Sequence, residues 1–509
     1  MEDSDDIRIR QETENIENWW TDERFNDTNR NYTARDVAVI RPSISLTTPS
    51  HYLSRKLYFT LRRNFKKGAV SNTFGALDNI QAITMSKYLT SIYVSGWQLS
   101  SNCDEPGPDF ADYPSITVPE HVNKLVNAQI FHDRKQNEER SRMSAQERKD
   151  TPRIDYLTPI IADADAGFGG VTSVMKLTKA FIEAGVSGIH IEDQKAGAKK
   201  CGHLGGKVLV NTKEQMQRLY AARLQADVMG CDLVIVARTD SYSAAFLDTN
   251  IDPLDHPYIL GVVDEEYPDT LMTFPEAGEK AIAETFVNES RINKMLKVWN
   301  ANCTNMSLKE AREFAKELGF ELKFDWEACR SDEGYYKIKG TLDYCVKRGR
   351  KFAEVADLLW METPKPDLKL AKGFADGIHA VKPDQMLAYN LSPSFNWDAS
   401  GMNEEEIAAF IPSLGKMGYC WQFITLAGFH LNALMCEIFS REIGTQNMMR
   451  YVELIQRAER RENVAQLKHQ KWSGVDLRDK EVELSSPFNV GTKANQDGCT
   501  ESQFGNAKL

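Results

Sequence analysis

The segment Gly188-Ile189-His190-Ile191-Glu192-Asp193-Gln194 is a short apolar run that ends in acidic residues. Continuous apolar runs of this length are typical of parallel β-strands that are buried on both faces. Helical patterns lie on either side of it, at residues 174–183 and 214–227. A strand between two helices, repeated along a chain, predicts a parallel α/β sheet.

The same pattern recurs through the chain and predicts eight strands. Nearly every run ends in polar residues, and the carboxyl ends of the strands form the active face of a (β/α)8 barrel. We therefore predict an α/β fold of the (β/α)8 TIM-type barrel class, with an open doubly wound sheet as the alternative. The predicted strands are residues 74–77, 92–97, 158–163, 188–192, 233–238, 357–362, 386–390 and 421–425.

Three regions lie outside this repeat. The polar N-terminus, with a predicted helix at 15–20, is interpreted as a helical layer. Charged, helix-favouring sequence at 274–297 and 307–318 predicts an inserted helical subdomain, and helices are expected from Leu431 to about Lys471 before a Gly/Ser/Asn-rich tail. The predicted segments are 1–70 (N-terminal helices), 71–261 (first part of the barrel), 262–325 (insert), 326–430 (second part of the barrel) and 431–509 (C-terminal helices, lid and tail).

The stretch Lys199-Lys200-Cys201-Gly202-His203 follows the quoted strand closely. A thiol beside two ammonium groups and an imidazole suits proton chemistry, because nearby cations lower the thiol pKa and partial exposure keeps the sulfur accessible. Two alternatives are a small buried hydrophobe and one half of a zinc site. Two lysines are poor neighbours for a buried thiol, and no second Cys/His pair with zinc spacing lies nearby. Cys201 is therefore predicted to be catalytic.

The composition predicts an enzyme that binds neither nucleic acid nor membranes. The net charge is −11, and no run of 18 apolar residues occurs. The other eight cysteines are scattered without a C-x-x-C pair, which favours reduced thiols in an intracellular compartment. The acidic N-terminus matches neither a secretory signal nor a mitochondrial presequence.

Acidic residues follow two predicted strands and a nearby loop. Asp163 and Asp165, then Glu192 and Asp193, together with Asp109 form an oxygen-only cluster. Because like charges repel unless a cation intervenes, and Mg²⁺ and Mn²⁺ prefer oxygen ligands, the cluster predicts a metal site. The alternative is a solvated acidic rim that pairs with the neighbouring lysines and arginine.

Hydrogen-bond donors end other strands on the same predicted face. Arg238 can hold a carboxylate with two parallel donors. Asn390, Ser392, Ser394 and Thr425 offer an amide and hydroxyl groups for a second carboxylate. The two serines could instead be ordinary turn residues around Pro393. Together these groups predict a polyanionic substrate.

These motifs resemble the isocitrate lyase family, from about residue 19 to residue 504. The insert resembles the helical insertion of the eukaryotic branch of that family. The resemblance also implies a homotetramer in which C-terminal helices are exchanged between subunits. The matching motifs are SGWQ at 95–98, ADADAGFGG at 162–170, HIEDQ at 190–194, KKCGH at 199–203, ARTD at 237–240, WMET at 360–363, YNLSPSFNW at 389–397 and WQFITLAG at 421–428.

The resemblance implies a reaction of the glyoxylate cycle, the Mg²⁺-dependent retro-aldol cleavage of isocitrate to succinate and glyoxylate, with Mn²⁺ as the alternative metal. It makes Asp163 the principal metal ligand, with Asp109, Asp165 and Glu192 around it, and Cys201 the proton donor. The implied catalytic group is Cys201 with His203, and Tyr93 as a candidate base. The implied substrate-binding residues are Ser95, Gly96, Trp97, Gly202, His203, Arg238, Glu362, Asn390, Ser392, Ser394 and Thr425.

Two other functions compete with this interpretation. A 2-methylisocitrate lyase performs the same chemistry on a substrate with one more methyl group, and one such group changes discrimination by only about 1–3 kcal/mol. Leu204 after KKCGH favours isocitrate, since arginine is commoner there in the methylisocitrate branch. A non-catalytic scaffold would be expected to lose Cys201, Asp163 or Arg238, and the sequence keeps all three.

The last three residues, Ala507-Lys508-Leu509, are a close variant of the C-terminal Ser-Lys-Leu signal for peroxisomes. Alanine replaces serine with another small residue, and the basic and terminal leucine positions are kept. We therefore predict recognition by a peroxisomal import receptor and a location in peroxisomes or glyoxysomes. The alternative is a chance match and a cytoplasmic protein.

Overall fold

The computed structural model describes residues 3–264, 270–496 and 498–504. Within them, eight parallel strands run in the order β1-β8-β7-β6-β5-β4-β3-β2. A parallel bridge between Gly75 and Tyr93 joins the two end strands and completes the barrel. The predicted (β/α)8 barrel is confirmed. The strands are β1 Ser71–Phe74, β2 Ile92–Val94, β3 Ile160–Asp163, β4 Gly188–Glu192, β5 Val234–Thr239, β6 Leu358–Met361, β7 Met386–Asn390 and β8 Tyr419–Ile424.

The first strand lies three residues before the predicted position, which was 74–77. Its residues are mostly polar, so it lacks the apolar run that identifies the others. The Ser71 hydroxyl lies 2.8 Å from that of Ser91, and the Thr73 hydroxyl donates to the Ser91 carbonyl at 2.7 Å. These contacts satisfy the buried polar atoms, so a polar strand is stable here.

The helices between the strands follow the predicted alternation. Aromatic rings fill the barrel interior: the ring centroids of Phe423 and Tyr93 lie 4.7 Å apart, and those of Phe423 and Trp360 lie 5.0 Å apart. The helices that follow strands in the chain are Asn79–Met85, Gly96–Ser100, Thr117–Ser141, Ala145–Asp150, Val171–Ala184, Thr212–Val228, Leu342–Phe352, Leu368–His379, Glu404–Lys416 and Ala427–Gln446.

The predicted N-terminal helical layer is present as Ser4–Trp20, Ala34–Ile40 and Pro49–Lys67. Proline suits the first turn of the third helix, and Gly68 ends that helix in the left-handed conformation at φ 61°. Its Leu57, Tyr58 and Leu61 pack against the barrel core. Burial of these side chains fixes the helix against the barrel.

A buried ion pair ties the N-terminal segment to the start of β6. The guanidinium of Arg24 lies 2.6 Å from the carboxylate of Asp357, and that of Arg223 lies 2.8 Å from the same carboxylate. Burial alone would raise the pKa of Asp357, but the two arginines outweigh it and lower the pKa from 3.8 to about 2. The pair therefore contributes to stability only while Asp357 is ionised.

Three helices form the insert, at Phe274–Thr285, Glu289–Asn302 and Leu308–Leu318, around a core that includes Trp299 and Phe320. The helix-favouring sequence at 274–297 forms two helices rather than one, because the chain is extended at Phe286 and Asn288. The side chain of Asn288 accepts a hydrogen bond from the amide of Arg291, which starts a new helix. Two small sheets lie outside the barrel: one pairs Leu260–Val262 with Leu271–Thr273, and the other is formed by Val208–Leu209, Phe246–Leu247 and Tyr336–Lys337.

The chain divides into two compact units, and the predicted five-segment division stays a prediction. The first unit, residues 3–75, 89–123 and 159–426, holds the barrel strands; the second covers 76–88, 124–158 and 427 onward. Helices continue past the predicted end near Lys471, because Val475–Ser485 is also helical.

A search of the described helices for a membrane-spanning segment finds none with the required length and apolar character. The helices after Ala427–Gln446 are Met448–Tyr451, Val452–Arg457, Ala458–Arg461, Ala465–Leu467, His469–Trp472, Val475–Ser485 and Thr500–Phe504.

Candidate active site

Four of the predicted acidic side chains are buried at the carboxyl ends of β3 and β4. Asp163 ends β3 and Glu192 ends β4, while Asp109 and Asp165 lie in loops. Asp109 and Asp165 adopt positive φ angles of 66° and 49°. Such strained backbone costs about 1–3 kcal/mol per residue and is concentrated at functional sites. The structure therefore holds these carboxylates in place against a local preference.

A buried lysine joins the four-carboxylate cluster. The ammonium of Lys199 lies 2.6 Å from Asp109, 2.7 Å from Asp165 and 3.8 Å from Glu192. The remaining acid, Asp163, accepts hydrogen bonds from the amides of Gly96 and Asp165, at 3.1 and 2.9 Å. The four acids are buried rather than solvated, and three of them pair with Lys199, as the alternative of a charge-paired cluster also expects.

Burial raises the pKa of Asp109, Asp163 and Glu192, and repulsion from neighbouring carboxylates adds to the effect. A site that disfavours its own negative charges in this way favours an added cation. The donor set is oxygen only, which fits Mg²⁺ or Mn²⁺. In the described ranges, no group of three or more His, Cys, Asp or Glu side chains is arranged so that it could hold a metal ion. The donor set suits an ion that takes one or two carboxylates directly and keeps water for its other positions.

Cys201 is half-buried in the loop after β4. Burial raises the pKa of its thiol to about 11, and the charge of Asp109 adds to that effect. The expectation of a lowered thiol pKa is therefore wrong, because burial outweighs the lowering by Arg238 and Lys199. Lys199 is directed at the carboxylates, and the Lys200 ammonium donates to the carbonyl of Gly206 at 3.0 Å. The thiol keeps its proton at neutral pH, as a general acid must.

Arg238 ends β5 beside Glu192 in the sheet register. Its guanidinium lies 2.8 Å from Glu192 and 2.9 Å from Asp240, and it stacks over Trp360 at 4.5 Å from the ring centroid. The Cys201 loop packs closely against it, since a Cβ atom on Gly202 would lie 2.6 Å from an Arg238 nitrogen. Glycine at position 202 therefore lets the loop approach Arg238 this closely.

A second polar group forms beyond Arg238 from the ends of β6, β7 and β8. His203 approaches Glu362 at 3.4 Å and Ser392 at 3.5 Å. Asn390 donates to Glu362 at 3.3 Å, and the Thr425 hydroxyl donates to Asn390. The structure therefore brings these five predicted substrate-binding residues together: hydrogen bonds join Thr425, Asn390 and Glu362, and His203 lies near both Glu362 and Ser392.

The other predicted residues lie around the two groups. Ser95 caps the short helix Gly96–Ser100 by accepting from the amide of Gln98 at 3.3 Å. A Cβ atom on Gly96 would lie 2.8 Å from Asp163, so this glycine allows the backbone to approach the carboxylate. Trp97 follows it on the same helix, and Ser394 donates its backbone amide to Ser392.

Tyr93 lies below the acids, inside the barrel. Its hydroxyl is 3.0 Å from a nitrogen of His190, and that imidazole lies 3.5 Å from Asp163. Burial raises the pKa of Tyr93 well above its usual value of 10 and lowers that of His190. The role of Tyr93 as a base stays a prediction.

These features match a known group of proteins. The sequence model of the isocitrate lyase family matches residues 12–283 and 269–504. An isocitrate lyase of Oryza sativa is 44% identical, with 98% of this chain and 94% of the relative covered.

The chain belongs to the isocitrate lyase family.

Further relatives support the assignment to isocitrate lyase. The isocitrate lyase of Saccharomyces cerevisiae is 45% identical over 96% of this chain and 94% of the relative. A mitochondrial 2-methylisocitrate lyase of Hypocrea atroviridis is less similar, at 38% identity over 98% and 95%. A phosphoenolpyruvate phosphomutase structure from Streptomyces platensis gives a TM-score of 0.47 at 14% identity, over 84% of this chain and 98% of the other. At that level of similarity, the match carries no information on function.

One residue that was predicted to belong to the acidic cluster, Asp193, lies outside it in this member of the isocitrate lyase family. Asp193 directs its carboxylate away from the four acids and lies 2.8 Å from the buried Arg348. It also accepts hydrogen bonds from the Thr239 hydroxyl and the Asp240 amide, at 2.6 and 2.9 Å. Asp193 lies just after β4, where these contacts turn its carboxylate away, so only Glu192 of this pair enters the site.

Several site residues were missed by the sequence analysis. Tyr113 donates to Asp165, and Gln194 both donates to the carbonyl and accepts from the amide of Lys200 at 2.8 and 3.0 Å. Lys207 contacts the Cys201 loop and Asp240. Gln194 lies in the HIEDQ motif, but nothing in the local sequence marks Tyr113 or Lys207 as partners of residues so distant in the chain.

Proposed function

We propose that this chain cleaves isocitrate to succinate and glyoxylate in a Mg²⁺-dependent retro-aldol reaction. The observation that carries the proposal is that the Cys201 loop lies between a buried carboxylate cluster, which Lys199 contacts, and the donors Arg238 and His203. An acid, an anion-binding group and a cation site are what this reaction needs. The relatives named isocitrate lyase support the same substrate.

Asp163 would hold Mg²⁺, with Asp109, Asp165 and Glu192 around it, and the ion would act as a Lewis acid toward oxygen atoms of the substrate. Mn²⁺ is the alternative. The oxygen-only donor set and the raised pKa of Asp163 support a cation at this place. Lys199 already supplies one positive charge to three of these carboxylates.

The protein's own groups perform the remaining steps. Arg238 and the hydrogen-bonded group around Glu362 and Asn390 orient the substrate carboxylates. A carboxylate of the cluster, or Tyr93 after it has lost its own proton, removes the hydroxyl proton, and the carbon–carbon bond breaks. The succinate carbanion then takes a proton from Cys201, whose thiol is protonated because it is buried.

Release of glyoxylate from isocitrate, measured with and without Mg²⁺, tests the proposal. Asp163→Ala should lose both activity and the response to Mg²⁺, while the exposed Asp376→Ala should behave as the wild type. An Asp163→Ala variant that responds normally to Mg²⁺ would place the metal elsewhere. Faster turnover of 2-methylisocitrate than of isocitrate would identify the other lyase.

We also propose a homotetramer with exchanged C-terminal helices. The helix Ala427–Gln446 supports it, because Gly428 is its one buried residue in the described part of the chain. Leu431, Leu434 and Met435 are 49, 58 and 41% exposed, which is unusual for apolar side chains in a row. Light scattering should give four times the chain mass of 57.7 kDa. A mass of one chain would contradict the proposal.

Finally, we propose a peroxisomal or glyoxysomal enzyme of the glyoxylate cycle. The proposed signal Ala507-Lys508-Leu509 lies outside the described residues, so its support is the sequence alone. The last ten residues of the chain, fused to the end of a cytosolic reporter, should move the reporter into peroxisomes. The same fusion without Leu509 should stay in the cytosol. A reporter that stays diffuse in cells importing Ser-Lys-Leu cargo would favour the cytoplasm.

A further inference from the structure

Lys207 is a fully buried lysine that was not among the predicted site residues. It lies between the Cys201 loop and Asp240, the partner of Arg238. The ammonium of Lys207 donates to the carbonyl of Gly202 at 2.6 Å, to Asp240 at 2.8 Å and to the hydroxyl of Ser243 at 2.8 Å. Its side chain is 0% exposed, as is that of Asp240. A buried ammonium with three partners has no freedom left for its donors, so its position is fixed.

The backbone of Lys207 is fixed as well. Its carbonyl accepts hydrogen bonds from the amides of Ala245 and Phe246, both at 3.1 Å. The next residue begins a short strand that pairs with Phe246–Leu247. Lys207 therefore belongs to the rigid part of the fold, and the loop with Cys201 is the part that it holds.

Asp240 extends the contact from the loop to the substrate-binding arginine. One of its carboxylate oxygens accepts from Lys207 and from an Arg238 terminal nitrogen at 3.1 Å, and the other accepts from the Arg238 Nε at 2.9 Å. The backbone amide of Asp240 donates to the carboxylate of Asp193, and that carboxylate forms an ion pair with Arg348. The carboxylate of Asp240 thus connects Lys207 with Arg238, and the contacts with Asp193 and Arg348 hold Asp240 in place.

We propose that Lys207 and Asp240 are positioning residues that set the Cys201 loop and the Arg238 guanidinium relative to each other. Lys207 holds the peptide next to Cys201, and Asp240 fixes the plane of the guanidinium. Neither side chain touches the reacting atoms. The proposal rests on the function proposed above, because it assigns these residues to the same site.

The geometry predicts different effects for the two residues. Loss of the Lys207 ammonium frees Gly202 and moves the thiol, and a displacement of 1 Å costs about 100-fold in rate. Lys207→Met should therefore lower kcat by about 100-fold. Asp240→Asn keeps the shape and an acceptor for Lys207 but loses the paired acceptor for Arg238. It should raise the KM for isocitrate by about tenfold, with a smaller change in kcat.

A second measurement does not depend on turnover. The rate at which iodoacetamide modifies Cys201 in the ligand-free enzyme is followed by mass spectrometry, with Cys103 as the internal reference. Lys207→Met should raise that rate at least fivefold, because the loop no longer packs on Arg238. Asp240→Asn should leave it near the wild-type rate. Ser243→Ala is the matched control, since it removes one partner of Lys207 and keeps the other two; kcat, KM and the Cys201 rate should stay within twofold.

The outcomes separate the two proposals. A wild-type enzyme that does not cleave isocitrate contradicts the proposed function, while the Cys201 rate still tests the positioning role. Lys207→Met with a wild-type Tm, kcat and Cys201 rate overturns the positioning role. If Lys207→Met gives no folded protein, Lys207→Arg keeps the charge but changes the length of the contact. A faster Cys201 reaction in that variant supports the proposal, and an unchanged reaction and kcat refute it.

Discussion

A single methyl group added at Gly202 should disable the site. A Cβ atom there would lie 2.6 Å from an Arg238 nitrogen and 2.8 Å from Cγ of Glu362, whereas ordinary contacts begin at 3.4 Å. The overlap with Arg238 is therefore about 0.8 Å, which is 3.4 less 2.6. Arg238 is held by Glu192 and Asp240, so the loop rather than the arginine has to move.

A shift of this size would withdraw the Cys201 thiol from the carbanion. Misplacement by about 1 Å costs about 100-fold in rate, which corresponds to about 2.7 kcal/mol in the barrier. We therefore expect Gly202→Ala to lower kcat for isocitrate cleavage by about 100-fold. The Tm should change little, because the loop does not belong to the barrel core.

Gly205→Ala is the matched control in the same loop. A Cβ atom on Gly205 meets nothing within 4 Å, so its kcat and KM should equal those of the wild type within twofold. Steady-state kinetics of both variants with saturating Mg²⁺ decides the question. Near-normal turnover in Gly202→Ala would show that the loop does not need its close contact with Arg238. It would refute the conclusion that this contact positions Cys201.

Two further predictions concern the Cys201 thiol as a proton donor and the Asp357 carboxylate as a partner of two buried arginines. Cys201→Ser should retain isocitrate binding and lose about 100- to 10,000-fold in kcat, because a serine hydroxyl is a much weaker acid; steady-state kinetics with a binding measurement checks this, and near-wild-type turnover would contradict the assignment. Asp357 has a lowered pKa, so its contribution to stability is full above about pH 4 and is lost as the pH falls toward 2. The shift corresponds to roughly 2.5 kcal/mol, and Asp357→Asn, which leaves buried Arg24 and Arg223 unpaired, should lower the free energy of urea unfolding at pH 7 by about 3–5 kcal/mol. An unchanged unfolding midpoint would refute this role.

The sequence predicted the barrel because seven of its strands are apolar runs, and this signal is local. It misplaced β1, whose polar residues become buried through contacts with Ser91 that no local pattern shows. It also placed Asp193 with the acids of the predicted metal site, since the direction of a side chain after a strand ends depends on the turn. The turn is fixed by Arg348, 155 residues further along the chain.

The chemistry of Cys201 shows the same limit. The motif predicted which residues surround the thiol but not which partner each lysine reaches. Lys199 turns to Asp109 and Asp165, which leaves burial as the main influence on the thiol pKa. Charge effects depend on distance and direction, and these come from the fold rather than from the spacing of residues in a motif.

In the homotetramer proposed above, the apolar surface of the helix Ala427–Gln446 makes protein concentration a variable of the folded state. Leu431 and Leu434 are about half exposed, and full burial of such a side chain is worth roughly 1.5–3 kcal/mol. This stabilisation is absent from a chain that has met no partner. A newly made chain therefore carries a surface prone to non-specific association, and dilution should weaken the protein even where every contact within the barrel is intact.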